Sequence, residues 1–229
     1  MKKGCRCSSA FLIYGKVIIM EKRSVTELGN PAKPHGEAGI EMLKGMNVHH
    51  GPVTEWALGF LDVAPNDTVL DIGCGGGATI KRIDETTDVG KIYGIDHSEI
   101  SVELSTFNNE RSVGCGKVKI SQASVEALPF DNGSFDRIIT VESFYFWPDP
   151  PKSLKEVYRV LKKGGRFLIA ADIHGDAELD EKDIEGIKKF SLYNPTLDEF
   201  KALLENAGFI NVVIHTKSGE KWVCAEGNK

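Results

Sequence analysis

The sequence lacks any C-x-x-C pair among its five cysteines, Cys5, Cys7, Cys74, Cys115 and Cys224, and no spacing fits a zinc site. An odd number excludes a complete disulfide framework, so a reducing cytoplasm is the expected compartment. Cys5-x-Cys7 falls in an N-terminal tail where no chemical role is expected, and no metal is assigned. Basic residues are in the minority, 28 Lys and Arg against 33 Asp and Glu, and no Lys/Arg stripe occurs. Nucleic-acid binding rests on neutralising phosphates, so no nucleic-acid partner is expected. Long apolar runs are missing too. The stretch 10–14 follows Lys2 and Lys3 but is broken by Gly15 and Lys16, without a small-x-small cleavage site before Glu21. It is too short to span a bilayer, and no stable membrane insertion is expected. Met20 opens a polar stretch and is read as a natural start, or residues 1–20 as a loosely docked extension. Internal repeats and low-complexity tracts are absent.

What is present is ordinary for a globular chain of 229 residues: 41% hydrophobic and 27% charged. Pro52 and the i, i+3, i+4, i+7, i+8 spacing of Val53, Trp56, Ala57, Phe60 and Leu61 predict a helix over 52–61. Strands are expected at 68–72, 91–95, 117–122, 135–141 and 166–171. Ser98 should cap a helix with Ile100, Leu104 and Phe107 on one face. Asp149 and Pro150 start a helix carrying Leu154, Val157, Tyr158 and Leu161, which Lys162-Lys163-Gly164-Gly165 should end. Thr196-Leu197-Asp198-Glu199 is a capping box for a helix that stops at Gly208. Residues 211–216 and 221–225 read as a hairpin. The charge-rich segment 175–189 reads as a solvated loop or helix rather than a substrate lid. Alternating strands and helices imply an α/β, doubly wound, seven-stranded, mainly parallel sheet with a terminal antiparallel hairpin.

The densest signal is Val69-Leu70-Asp71-Ile72-Gly73-Cys74-Gly75-Gly76-Gly77: an apolar strand, an acid, then a glycine loop opening a helix. Glycines allow a sharp turn and let a ligand lie on the backbone. Asp96, at the end of the second strand and 25 residues beyond Asp71, can accept both hydroxyls of a ribose. A dinucleotide would put its pyrophosphate at the loop, beside Asp71. At roughly 5 Å and an effective dielectric of about 20, that repulsion is about 3 kcal/mol. A cofactor carrying an ammonium group and no phosphate gains where pyrophosphate loses, which disfavours an NAD-dependent oxidoreductase.

Residues 69–77 resemble the first motif of class I S-adenosylmethionine-dependent methyltransferases. Gly94-Ile95-Asp96-His97-Ser98 resembles their ribose-binding motif, Ser124 to Phe130 followed by Ser134-Phe135-Asp136 their adenine-side segment, and Leu161 to Arg166 their late glycine pair. The likeness runs from about residue 45 to the C-terminus and is nearest to small-molecule enzymes of the ubiquinone/menaquinone-biosynthesis type. It implies a Rossmann-like methyltransferase domain over 45–229, with 1–44 an N-terminal extension and partial lid. It implies S-adenosylmethionine as cofactor, S-adenosylhomocysteine as product, and Asp71, Gly73, Cys74, Gly75 and Gly77 at the loop. Asp96 and Ser98 belong to the ribose side, His97 stacks near the adenine, and Ser124 and Val125 meet the adenine edge. Many relatives have Asp where Ser124 stands, so the Val125 N–H is the expected adenine contact. Asn47 is assigned to the methionyl end, and Glu142 to the cofactor site beside the methyl group.

Methyl transfer from a sulfonium is an in-line displacement, for which positioning alone can supply about 7–11 kcal/mol. A base matters only if the acceptor must lose a proton. Glu142-Ser143-Phe144-Tyr145-Phe146-Trp147 should face the methyl group and lacks the Asn-Pro-Pro-Tyr pattern used on planar nitrogens. An apolar or aromatic small-molecule acceptor is expected. Tyr145 and His50 are the catalytic candidates, with His49 and His174 nearby in the reading. A non-catalytic S-adenosylmethionine-binding subunit is the rival, and monomer and homodimer stay open.

Overall fold

The computed structural model describes residues 29–229; the readings made on Cys5, Cys7, Met20 and the rest of 1–28 lie outside the described residues. Helix α1 (Gly36–His49) runs through residue 44 and meets α2 (Gly51–Leu61) at His50. Then follow β1 (Thr68–Ile72), α3 (Ala78–Thr86), β2 (Lys91–Asp96), α4 (Glu99–Asn108), the short α5 (Glu110–Gly114) and β3 (Val118–Gln122). The second half holds β4 (Phe135–Val141), a single 3-10 turn (Phe144–Phe146), α6 (Pro150–Val160), β5 (Leu161–Ala171), α7 (Glu181–Phe190), α8 (Leu197–Ala207), β6 (Ile210–Thr216) and β7 (Val223–Asn228).

The sheet order is β3-β2-β1-β4-β5-β7-β6. Pairings from β3 through β5 are parallel, while β7 runs antiparallel to both β5 and β6. After β1 the chain winds outward through β2 and β3, then returns to place β4 on β1's other edge. That reversal opens a crevice at the carboxyl ends of β1 and β4, where ligands bind in open α/β sheets.

The two-residue period of the strands divides the core. Leu70, Ile72, Ile138, Phe167 and Ile169 meet α6 and α8 through Leu154, Val157, Phe200 and Leu204. Val69, Ile139 and Leu168 face the other way, toward Ala57, Leu61, Ile80 and Ile83 of α2 and α3. Both faces are covered, as a parallel sheet requires.

Several local expectations needed correction. Helix α6 stops at Val160, and Leu161 already pairs with Phe135, so 162–165 bulge within β5 instead of ending a helix. Lys162 therefore does not cap a helix end; its Nζ binds Asp136 Oδ2 at 2.7 Å. Phe107 is 69% exposed. The buried side of α4 is Ser101, Leu104 and Ser105, because small residues are needed beside Gly77, where a Cβ would lie 2.4 Å from Ser105 Oγ. The final strand is shifted to Val223–Asn228, where it lies between β5 and β6. One expectation holds as stated: within the charge-rich segment, residues 181–190 form a solvated helix with no buried residue, opened by an Asp180–Asp183 capping box and tied to Lys221. Helix α1 had no forecast.

Candidate active site

The glycine loop is held by its own backbone. The Gly73 and Cys74 N–H groups both donate to the Ile95 carbonyl (2.8 and 3.0 Å), and the Gly77 N–H donates to the Cys74 carbonyl (2.8 Å). The Gly75 N–H donates to Asp96 Oδ2 (2.9 Å). Loop carbonyls are fixed as well, by Asn108 on Gly76 (2.8 Å) and Asn109 on Gly77 (3.1 Å). A phosphate cradle needs free N–H groups pointing outward. Here four of the loop's donors are used internally, which independently weighs against a pyrophosphate. Two of the glycines are dictated by space: a Cβ on Gly73 would sit 2.3 Å from Ser143 Oγ and one on Gly76 2.4 Å from Asn47 Nδ2.

A trough crosses this loop. Its larger part, a cavity of about 270 Å³, is lined by Gly73, Gly75, Asp96, His97, Ser124 and Val125 on one side. Pro31, Pro34, Leu43 and Met46 form its roof, with Phe146 and Trp147 at the far wall. The smaller part, about 60 Å³, is lined by Asn47, His50, Cys74, Gly75, Gly76 and Glu142. Thus most residues assigned from sequence converge: Asn47, Gly73, Cys74, Gly75, Asp96, His97, Ser124, Val125, Glu142 and His50 all line one part or the other.

Four do not. Asp71 lies in β1 beneath the loop, 1% exposed, and its Oδ2 has no partner. Burial, with Asp96's charge adding, pushes its carboxyl up to about 8. Ser98 caps α4 by accepting from the Ser101 N–H and donates its hydroxyl to the Pro34 carbonyl (2.9 Å), so it fastens the roof. Gly77 packs α3 against α4. Tyr145 is buried, its hydroxyl 2.5 Å from Glu142 Oε2 and 3.0 Å from Asp172 Oδ1.

Asp96 does two jobs. Oδ1 accepts from the Ser98 N–H (2.9 Å) and Oδ2 from Gly75, yet each oxygen keeps a second acceptor site for a ribose hydroxyl. His97 Nδ1 lies 3.8 Å from Oδ1. Burial raises the Asp96 carboxyl against those two N–H bonds. The Ser124 hydroxyl accepts from the Glu126 N–H (3.2 Å), holding the turn at the adenine side. Burial drives the Cys74 thiol well above its usual range, so it stays a neutral packing group.

At the other end of the trough, Glu142 follows β4 with φ 54, a left-handed conformation that costs a non-glycine residue about 1–3 kcal/mol and is typical of functional sites. Its Oε1 is buried without a partner. Burial raises its proton affinity, and Asp172 adds to the effect. His50 sits at the α1–α2 junction with burial pushing it down to about 4, hence neutral at pH 7. His49 is raised by Asp172. His174 Nδ1 is buried without a partner, and the residue lines neither cavity.

Sequence reasoning missed Asp172 and the helical form of the roof; of the run from Glu142 to Trp147 placed against the methyl group, Glu142, Ser143, Phe146 and Trp147 line the trough, while Phe144 and Tyr145 are buried. Asp172 directly follows β5, at a carboxyl strand end, which is where the topology alone directs attention. The roof carried no loop signature.

Asp71's orphan oxygen, the carboxylate beside the loop and a trough with room for a nucleoside fit an adenosyl cofactor that bears a cation and no phosphate. The comparisons agree. A methyltransferase domain family matches residues 70–169. Ubiquinone/menaquinone biosynthesis C-methyltransferase UbiE of Geotalea daltonii is 32% identical over 174 residues, 66% of this chain and 74% of that protein. The 27-O-demethylrifamycin SV methyltransferase of Amycolatopsis mediterranei is 29% identical over 82% of this chain and 75% of its own. Haemonchus contortus phosphoethanolamine N-methyltransferase 2, solved with S-adenosyl-L-methionine, shares the fold with a TM-score of 0.67 at 16% identity, over 77% of this chain and 52% of that one. The chain belongs to the class I S-adenosylmethionine-dependent methyltransferases.

Proposed function

We propose that the protein transfers the methyl group of S-adenosylmethionine to a small molecule bound over the ends of β4 and β5. One observation carries this reading. The end of the trough at Glu142 is narrow, about 60 Å³, and lined by Leu43, Met46 and Asn47, a scale that suits a small molecule rather than a folded macromolecule. A small apolar or aromatic acceptor could reach it along Phe146 and Trp147. Relatives named for a quinone pathway and for a rifamycin support the same class.

Within this reading, Asp96, His97, Ser124 and Val125 hold the adenosine, and Asn47, Gly73, Cys74 and Gly75 line the methionyl side. Asp71 answers the ammonium charge from beneath the loop. When bound, the cofactor supplies an electrophilic methyl; the protein aligns it, excludes water and accommodates the proton an acceptor releases. His50 lines the narrow end where the acceptor docks, and Tyr145 acts from behind it as a positioning residue, holding the Glu142 and Asp172 carboxylates. Residues 31–50 serve as the lid, and the working compartment is the cytoplasm. No helix among the described residues is long and apolar enough to cross a membrane.

The test is transfer of a labelled methyl group to panels of phenols, quinols, thiols and amines. Transfer to one class, with Tyr145→Phe lowering kcat more than cofactor affinity, is the expected result. Label appearing only in protein or nucleic acid would overturn the proposal.

A further inference from the structure

Four side chains converge where the α1–α2 junction meets the ends of β4 and β5, and cofactor binding leaves their arrangement unexplained. His49 and His50 are consecutive, with ring centroids 5.3 Å apart and planes at 64°. They approach two different carboxylates. His49 Nε2 is 3.7 Å from Asp172 Oδ2, and His50 Nε2 is 3.6 Å from Glu142 Oε2. One donor atom each of His49, His50 and Asp172 lie within 4.8 Å of one another.

Those separations matter. They exceed the usual N–H···O range, so neither contact is a sound hydrogen bond that could hand on a proton. Two ligands on one tetrahedral ion, with bonds of about 2.0–2.1 Å, stand about 3.3 Å apart. The His49–Asp172 gap of 3.7 Å is slightly wider than this, and the three donor atoms together lie within 4.8 Å, so a bound ion would draw them inward. A second observation points the same way. Glu142's side chain is only 5% exposed, yet its Oε1 has no partner. An unpaired buried carboxylate oxygen is costly unless something positive meets it. The Tyr145 hydroxyl bridges Glu142 and Asp172, fixing both carboxylates in place, as outer hydrogen bonds do around metal ligands. His49 is 72% exposed, so the corner opens to solvent and an ion has a way in.

We propose that His49, His50 and Asp172, with Glu142 alongside, bind a divalent transition-metal ion of the zinc type. Two imidazoles and a carboxylate favour such an ion over magnesium or calcium, which take oxygen donors. Three protein ligands leave a position for an oxygen of the methyl acceptor. The site stands without the methyl-transfer reading; this role for it rests on that reading. A metal-bound hydroxyl ionises more easily. Its proton passes to water, the oxygen lone pair forms the O–CH3 bond, and the C–S bond breaks with both electrons going to sulfur.

The experiment titrates the full, metal-stripped chain with Co2+ and Zn2+ in the absence of cofactor. The expected result is one ion per chain, with the d–d absorption of Co2+ in a nitrogen–oxygen site. His49→Ala and Asp172→Asn should each weaken binding at least tenfold while S-adenosylmethionine still binds, which shows that the fold is kept. A Cys5→Ser/Cys7→Ser variant should bind the ion as the unaltered chain does. No ion uptake, uptake unaffected by both His49→Ala and Asp172→Asn, or uptake lost with the two cysteines would each overturn the site. Methyl transfer unchanged by chelation would overturn its role on the acceptor, whatever the outcome of the cofactor titration.

Discussion

A buried carboxyl with an unpartnered oxygen is the most consequential single group here. Asp71 titrates near 8 in the unliganded fold, above its ordinary value of 3.8. The folded state therefore holds a proton that the unfolded chain has released across that window. By linkage, Asp71's contribution to stability is fully present at low pH and fades as pH rises toward 8. A cationic ligand favours the ionised form, so binding S-adenosylmethionine below pH 8 should expel this proton. Calorimetry in buffers of different ionisation enthalpy should show release at pH 7 that Asp71→Asn removes, together with weaker binding. The sequence disclosed Asp71's sign and neighbourhood, because strand, acid and glycines are contiguous. It did not disclose that the side chain lies under the loop, since that depends on which sheet face β1 turns toward α3. Ser98 is similar: its capping role was legible locally, while its bond to Pro34 spans 64 residues and was not.

At the scale of elements, the adenine wall depends on one arginine of α6. Arg159 donates from Nη1 to the Phe130 carbonyl (2.7 Å) and from Nη2 to the Leu128 carbonyl (3.0 Å), while Nε and Nη2 bind Glu156. Glu156 in turn accepts from the Leu128 N–H (3.1 Å). The fork thereby pins the segment after Ser124 and Val125. Hydrogen bonds to a charged group contribute about 1.5–3 kcal/mol, so Arg159→Met should destabilise the fold by about that amount. It should also weaken cofactor binding about tenfold with little change in kcat, which equilibrium binding and steady-state kinetics separate. Strands and capped helices were readable because period and caps are local: Asp149, Thr196 and the run 68–72 fell where expected. The α6–β5 junction was misread because Lys-Lys-Gly-Gly is a good helix stop by composition. The pairing of Leu161 with Phe135, which decides the matter, is made 26 residues away. Helix α1 escaped notice because its buried side is only Gly39, Met42 and Leu43, too slight an apolar stripe to stand out.

For the molecule as a whole, the order of strands placed the crevice and the motifs filled it, so fold and cofactor chemistry were both accessible from sequence. The far end was not. His50, the Glu142–Tyr145 segment and Asp172 come from three places in the chain, and their meeting depends on how α1 and α2 lie across the strand ends. One fastening in that arrangement sets a tempo. Pro34 and Leu43 lie over the nucleoside side, and the Ser98 hydroxyl latches Pro34. Spent cofactor is expected to leave along that side only after the latch lets go. Catalysis should consequently run ahead of exit: rapid-quench measurements should show a burst of methylated product on the first turnover, followed by a slower rate that falls as solvent viscosity rises. Removing the latch with Ser98→Ala should shrink the burst and quicken later cycles, at a cost of about 1 kcal/mol in helix capping.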